Sequence, residues 1–248
     1  MATEILSLGI DGLIYSFLGG LLPAIIWLWF WLKEDRAHPE PRALVAVVFI
    51  AGGLAVVPAY WLEKSGLEIM APLFGHQLGL TVTLWALIEE SLKFLAVYIF
   101  ALRGRWFDEP VDAMVYMITG ALGFAAAENS LFLLSTFVTH GQPVIFLLTG
   151  NLRFLGATVV HLVASSIVGG FVGLAFYSQR RRRLAYLAGG LLTATLLHAL
   201  FNYFIITAKS EGVLKIFVLL WATAIFVIFF FERVKAKTKL YVKKKIIF

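Results

Sequence analysis

The chain consists of long runs of apolar residues separated by short charged segments. A run of about 20 apolar residues is long enough to cross the hydrocarbon core of a bilayer as a helix. The pattern predicts seven such spans, at 12–32, 43–62, 78–102, 111–134, 151–177, 184–207 and 213–231. We therefore predict an all-α polytopic membrane protein that forms one domain over residues 1–248, with a basic tail at 232–248.

Composition supports a membrane location. Hydrophobic residues make up 60% of the 248 residues and charged residues 15%, which is more apolar than a typical soluble domain. The net charge is +6, but the basic residues lie in the short segments between spans, so we expect a lipid bilayer as partner and no nucleic acid. The chain has no cysteine, which excludes disulfides, thiol catalysis and cysteine metal sites.

The distribution of cations predicts the orientation of the chain. If the seven spans alternate in direction, 16 of the 21 Lys and Arg residues fall on one side, and three lie on the other side or just inside its boundary. Cytoplasmic segments carry the excess of Lys and Arg. We therefore expect a multi-pass protein of the cell membrane with its N-terminus outside and its C-terminus in the cytoplasm.

The third predicted span carries charge near its middle. Glu89, Glu90 and Lys93 lie within the apolar run 78–102. A charged group at this depth costs about 2.5 to 3.5 kcal/mol on insertion scales, so such groups usually face a protein interior or a hydrated cavity. On a helix, Lys93 is one turn from both carboxylates and can partly neutralise them. A purely structural ion pair is the alternative interpretation, although it would not need a second glutamate.

Further polar residues occur in the later spans. Any one of them could simply hydrogen-bond a neighbouring helix. At a rise of ~1.5 Å per residue, however, those in the third to sixth spans fall within roughly 7 to 18 Å of the predicted outer boundary. We therefore predict a polar cavity in the outer half of the bilayer. The residues assigned to it are Glu89, Glu90, Glu128, His161, His198 and Asn202, with Lys93, Asn129 and Arg153 in supporting positions.

Carboxylates in an apolar site can activate water as general base and then act as general acid. Histidine and asparagine donors can stabilise the oxyanion that forms when water attacks an amide. Two other functions use the same residue types. Intramembrane Glu, His and Lys residues form proton relays in transporters, and polar layers also hold receptor or structural proteins together.

The ordered motifs resemble the PrsW family of intramembrane proteases, which is similar to the CAAX prenyl protease and bacteriocin-processing superfamily. The resemblance extends to Glu40-Pro41 after the first span and to Phe107-Asp-Glu-Pro-Val-Asp112 before the fourth, and covers most of residues 20–205. It implies an integral membrane endopeptidase that hydrolyses a single-span, anti-sigma-factor-like protein near the extracytoplasmic face. The motifs that carry it are Glu89-Glu90-x-x-Lys93, Phe124-x-x-x-Glu128-Asn129, His161 and His198-x-x-x-Asn202.

The resemblance leaves metal dependence open, because the family has been classed both as metal-dependent and as metal-free. The prenyl-protease branch has histidine after F-x-x-x, where this chain has Glu128. If zinc is the cofactor, Glu128, His161 and His198 would supply three ligands and leave a fourth position open. We expect a metal-free site, because Lys93 already neutralises charge that Zn²⁺ would otherwise offset.

Overall fold

The computed structural model describes residues 10–34, 39–140 and 143–247, and these contain helices and no β-strand. Two of the helices end in or begin from a five-residue π-helical turn, at Tyr98–Leu102 and Arg153–Ala157. The α-helices are α1 Ile10–Glu34, α2 Arg42–Leu54, α3 Val56–Phe74, α4 Leu78–Val97, α5 Asp112–His140, α6 Pro143–Leu152, α7 Thr158–Leu174, α8 Arg180–Thr207 and α9 Ser210–Ile247.

Helix α5 forms the centre of the bundle. Every residue from 110 to 126 is buried, so this stretch is covered by protein on all sides. Helix α5 packs most extensively against α1, α2 and α7, and residues 158–170 of α7 are likewise buried throughout. A helix that is apolar on every face belongs in the interior of a bundle. Polar side chains on α5 and α7 are therefore held in a packed, low-dielectric environment.

Glycines allow α2 to cross α5 with the two backbones in contact. A Cβ on Gly52 would collide with the carbonyl oxygen of Gly120, and a Cβ on Gly123 would collide with that of Phe49. Small residues of this kind permit close helix packing in membranes, where apolar side chains gain little by leaving lipid for protein. The crossing fixes α5 rigidly, and with it the polar residues one to two turns further along.

Within the described residues, six helices are long and apolar enough to span a membrane. They correspond to six of the seven predicted spans and confirm an all-α polytopic membrane fold. The remaining predicted span, the third one at 78–102, is helical as α4 and its π-helical turn but carries Glu89, Glu90 and Lys93. The count of seven and the orientation of the termini therefore stay predictions.

Three predicted boundaries differ from the structure. The second span continues through Phe74 rather than ending at 62, because α3 follows α2 with unbroken backbone hydrogen bonding across Ala55. The predicted connection between 135 and 150 is mostly helical, as the end of α5 and the start of α6. The last helix does not end at 231 but continues to Ile247, through most of the predicted tail. In each case the sequence prediction ended a span at charged or polar residues that the helix simply includes.

The outer faces of the bundle are apolar. Phe229 and Leu219 on α9 are each 67% exposed, and Trp29 on α1 is 60% exposed. Contiguous apolar surface of this kind marks a membrane or protein interface. Together with the six apolar helices, it establishes a multi-pass membrane protein whose polar groups are turned inward.

The loop before α2 is fastened to the start of α5. The hydroxyl of Tyr116 donates a hydrogen bond to Glu40 and lies 3.2 Å from the carbonyl oxygen of Trp106. Asp112 accepts backbone N–H groups of Asp108 and Glu109 at 2.9 and 2.6 Å. These contacts join the Glu40-Pro41 and Phe107–Asp112 motifs, which lie far apart in the sequence, at one end of the bundle.

This arrangement predicts a pH dependence of stability. Burial raises the pKa of Glu40 above its ordinary value near 4.5, with Asp108 and Glu109 adding to the rise and hydrogen bonds from Tyr116 and Asp112 opposing it. An acid whose pKa is raised by folding contributes stability below its unfolded pKa and loses it as pH rises through the folded pKa. Glu40→Gln should therefore reduce the fall in melting temperature between acidic and neutral pH. Exposed Glu232 supplies the control, Glu232→Gln, and an unchanged pH slope in Glu40→Gln would contradict the prediction.

Candidate active site

Residues from five segments of the bundle meet in one polar cluster. Glu89, Glu90 and Lys93 come from successive positions on one face of α4, and the other members come from α5, the second π-helical turn, α7 and α8. All predicted site residues except Asn202 belong to one connected network of hydrogen bonds and ion pairs. The additional members are Glu128 and Asn129 on α5, Arg153 on the π-helical turn, His161 on α7 and His198 on α8.

Lys93 lies at the centre of the cluster and is completely buried. Its ammonium group lies 2.7 Å from Glu90 Oε1, 3.2 Å from Glu89 Oε2 and 2.7 Å from His161 Nδ1. The Nζ atom also lies 4.3 Å from the centre of the Phe124 ring, in a cation–π contact. A buried charge is stable only when it is paired and hydrogen-bonded, and here three acceptors match the three ammonium protons.

Glu90 has both carboxylate oxygens occupied. Oε1 lies 2.7 Å from Lys93 Nζ and 3.1 Å from His198 Nδ1, while Oε2 accepts a hydrogen bond from the Ser165 hydroxyl at 2.7 Å. Its side chain has no exposed surface. Glu90 therefore connects α4 to α7 and α8 and is unavailable to a substrate.

The network determines the tautomers of the two histidines. An ammonium group only donates, so His161 Nδ1 accepts from Lys93, and its Nε2–H donates to Glu128 Oε2 at 3.0 Å. His198 Nδ1–H donates to Glu90 Oε1, which leaves the lone pair of the neutral ring at Nε2. Each ring is thus oriented by a carboxylate, an arrangement common around metal-binding histidines.

Glu128 is held by a clamp on its other side. Arg153 donates from Nη2 to Glu128 Oε2 at 2.6 Å and from Nε to Asn129 Oδ1 at 2.5 Å. The Asn129 amide donates to the Thr158 hydroxyl at 2.9 Å, and this hydroxyl lies 3.2 Å from the carbonyl oxygen of Arg153. The clamp thereby includes the backbone of the π-helical turn, a kind of irregularity that is frequent at functional sites.

Glu89 is the carboxylate positioned between the two histidines. Its Oε2 atom lies 3.6 Å from His161 Nδ1 and 4.0 Å from His198 Nε2. All of its contacts with described residues run through Oε2, so Oε1 has no hydrogen-bond partner among them. Its side chain is 7% exposed.

One group of described residues has the composition and spacing of a metal site: ligand atoms of Glu89, His161 and His198 lie within 4.8 Å of one another. Two imidazoles and a carboxylate form a known catalytic zinc set, and tetrahedral ligands at zinc lie roughly 3.5 Å apart. The sequence had grouped Glu128 with the histidines, but Glu128 is engaged with Arg153 and with His161 Nε2. As arranged, two of these three groups are hydrogen-bonded to Lys93, through His161 Nδ1 and Glu89 Oε2.

Several members of the site were missed by sequence reasoning. Ser165 lies one turn beyond His161 on α7, a spacing that could have indicated it, and Thr158 lies one turn before. Phe124 contacts both Lys93 and His161. Glu63, half-buried on α3, interacts electrostatically with Glu89, Glu128 and Lys93. It was overlooked because it follows the predicted end of the second span.

Asn202 stands apart from the network. It is one turn beyond His198 on α8 and partly buried, and no hydrogen bond joins it to the described residues. Its amide is therefore available to a substrate group, unlike the amide of Asn129, whose oxygen and nitrogen are both engaged.

Access to the cluster lies on the side of Glu128 and Arg153. Their side chains are 22% and 17% exposed, whereas those of Lys93, His161 and His198 are at most 2% exposed. An apolar cavity of about 280 Å³ lies beside this opening between α1, α5 and α6. Its lining includes Leu133, Gly150 and Phe154, the residue after Arg153.

Residues 40–231 match the family model described as PrsW family intramembrane metalloprotease. The chain belongs to this family. The match includes every residue of the polar cluster, so the cluster lies within the part of the chain that the family shares. The predicted resemblance and the assignment as an intramembrane protease are thereby confirmed.

Individual PrsW proteins align over most of the chain. It is 30% identical over 197 residues to protease PrsW of Geobacillus kaustophilus, covering 78% of this chain and 80% of that protein. It is 30% identical over 209 residues to protease PrsW of Bacillus subtilis, covering 82% and 88%. The corresponding protein of Shouchella clausii is 27% identical over 212 residues, covering 84% and 93%. No solved structure matches the chain.

The clamp on Glu128 predicts that Arg153 cannot be replaced by lysine. A guanidinium group can bond Glu128 and Asn129 together, whereas a single ammonium cannot reproduce this planar fork. Arg153→Lys should lower the kcat for peptide cleavage by roughly 10- to 100-fold, with a smaller change in KM and in melting temperature. The matched control is Arg183→Lys, since exposed Arg183 also bonds two acceptors, the carbonyls of Phe176 and Ser178. If Arg153→Lys cleaves with the kcat and KM of the unaltered chain, the contacts of Arg153 with Glu128 and Asn129 do not affect the site.

Proposed function

We propose that this PrsW-family protein hydrolyses a peptide bond of a membrane-anchored protein, with Glu89 as the general base. The observation that carries the assignment is the position of Glu89. It lies within 4.0 Å of both histidines through Oε2 and keeps Oε1 without a partner among the described residues. In contrast, Glu90 has both oxygens bound, and Glu128 is paired with Arg153 and contacts only His161 of the two histidines.

In the proposed reaction, Glu89 Oε1 accepts a proton from water as the water oxygen bonds to the carbonyl carbon. The carbonyl π electrons move to the oxygen and form a tetrahedral oxyanion. When the C–N bond breaks, the proton passes from Glu89 to the leaving nitrogen. A general base that becomes the acid in this way typically contributes about 10²- to 10⁴-fold to the rate.

The network also assigns the donor for the oxyanion. Neither neutral histidine has a free N–H, because those of His161 and His198 are donated to Glu128 and Glu90. The Asn202 amide has no partner among the described residues and lies one turn from His198. We assign it the role of oxyanion donor, which such an amide can fill. The histidines therefore bond neither Glu89 nor the substrate, and Glu89 Oε2 is held by the hydrogen bond from Lys93.

A metal ion, if bound by Glu89, His161 and His198, would polarise the carbonyl and lower the pKa of a bound water. The steps above use only groups of this chain. The transporter alternative gains no support from the relatives, which are named as proteases.

The proposed substrate is a single-span, anti-sigma-factor-like protein cut near the extracytoplasmic face. Two arguments support this placement. The excess of Lys and Arg assigns the C-terminal ends of the span Arg42–Phe74 and of α5 to the outside, and Glu63 and Glu128 lie nearer to these ends than to the opposite ones. Peptide bonds at mid-bilayer are hydrogen-bonded within a helix, so unwinding a substrate is easier near the boundary, where water is available.

Substitution of the two adjacent glutamates should separate their roles. Glu89→Gln should lower cleavage of a reconstituted single-span substrate at least about a hundredfold, with a smaller loss of stability than Glu90→Gln because its bond to Lys93 is the longer one, 3.2 Å against 2.7 Å. Glu90→Gln should destabilise the fold, since breaking a buried charge pair costs about 3 to 5 kcal/mol. Glu232→Gln, which alters an exposed glutamate paired with Lys235, is the control. Retained cleavage by Glu89→Gln would exclude Glu89 as the base.

The depth of the site predicts where the substrate is cut. We expect the products, identified by mass spectrometry after reconstitution, to end just outside or within the outer turn of the substrate's span, leaving a membrane-held stub. The same substrate incubated with Glu89→Gln controls for other proteases. A cut on the cytoplasmic side would contradict both the depth argument and the predicted orientation.

A further inference from the structure

We propose that the ammonium group of Lys93 takes the place of a metal ion in this site, holding the ligand-like atoms together and keeping a divalent ion out. The family is described as one of metalloproteases, so the inference distinguishes this chain's site from that description. It rests on the proposed site, but not on the proposed reaction.

The first observation is the position of Lys93 relative to the possible ligands. Its Nζ atom lies 2.7 Å from His161 Nδ1 and 3.2 Å from Glu89 Oε2, two of the three groups that have metal-ligand spacing. These two atoms are 3.6 Å apart, so the ammonium bridges them as an ion would.

The second observation is that the ammonium has no freedom to serve elsewhere. Its third contact is Glu90 Oε1 at 2.7 Å, and its remaining side faces the ring of Phe124. The side chain is completely buried. Moving it out would leave Glu89 and Glu90 without their shared cation, and an uncompensated buried charge is strongly destabilising.

The two cations exclude each other for chemical and electrostatic reasons. A metal ion needs the lone pair of His161 Nδ1, which accepts a hydrogen bond from Lys93. It would also lie within roughly 4 Å of a positive charge in a medium of low dielectric, where like charges repel by several kcal/mol. Lys93 is therefore a positioning residue. It holds Oε2 of Glu89 and leaves Oε1 without a hydrogen-bond partner among the described residues.

The inference predicts that removing the ammonium creates a zinc site. Lys93→Met leaves Glu89, His161 and His198 with lone pairs directed at one another, and Zn²⁺ can replace the lost positive charge. We expect the metal-stripped original protein to bind no stoichiometric zinc, and Lys93→Met to bind one Zn²⁺ per chain with affinity higher on the order of a hundredfold or more. Zinc should also raise the melting temperature of Lys93→Met.

The predicted zinc binding is tested on the protein in detergent, without substrate. The measurements are isothermal titration with ZnCl₂ and thermal unfolding with and without zinc. Adding His198→Asn to Lys93→Met should abolish the gain. Lys235→Met, which breaks a surface i,i+3 pair with Glu232, should leave zinc binding unchanged. If Lys93→Met does not fold, Lys93→Gln keeps a hydrogen-bond donor near Glu90 and replaces it.

Stoichiometric zinc in the original protein, lost on His198→Asn, would overturn the inference, as would a folded Lys93 variant without increased zinc affinity. If neither variant folds, the zinc content of the original protein decides alone. Because no step of the test uses cleavage, an inactive protein that shows the expected zinc binding would overturn the proposed reaction and support the role of Lys93.

Discussion

The structure depends on the burial of charge at one point of an apolar bundle. Lys93 is fully buried and is stabilised only because Glu89, Glu90 and His161 surround it. Each of these groups must in turn be held in place. Side chains on α5, α7 and α8 do this through hydrogen bonds. A charged pair in hydrocarbon is costly unless every partner is satisfied. Burying these charges costs free energy unless every partner is satisfied, and this need for complete pairing also restricts the cluster to one geometry.

The cluster has two levels that perform different tasks. The inner level, with Glu90, Ser165 and His198 around Lys93, has no exposed polar oxygen on Glu90 and serves to hold the helices in register. The outer level, with Glu128 and Arg153, is partly exposed. Glu89 lies between them with one oxygen unpaired among the described residues. In the proposed reaction, the reactive carboxylate is therefore held rigidly on one side and open on the other, as preorganised catalysis requires.

The fold supplies the rigidity that this arrangement needs. Helix α5 is buried on all faces and contacts α2 through glycines whose backbones touch, so Glu128 and Asn129 have little freedom. Opposite α5, the π-helical turn Arg153–Ala157 has an irregular backbone that places Arg153 in contact with both Glu128 and Asn129. Two carbonyls of this turn also accept side-chain hydrogen bonds, that of Arg153 from the Thr158 hydroxyl and that of Leu155 from the Trp221 indole.

The sequence by itself determined the class of fold, the apolar spans and most of the candidate site residues. Long apolar runs and intramembrane Glu, His and Asn residues can be identified without knowing any contact between helices. Family membership followed from the order of the same motifs. The tertiary structure decided which of those residues contact one another, and the roles we propose for them rest on these contacts. Glu89 and Glu90 are neighbours on α4 and look equivalent in sequence. In the structure, Glu90 points into the interior, whereas Glu89 lies between the two histidines. The sequence did not identify Ser165 and Glu63 as neighbours of the site, and it grouped Glu128 with the metal ligands. These assignments depend on contacts between helices that are distant in the chain, which no local sequence pattern encodes.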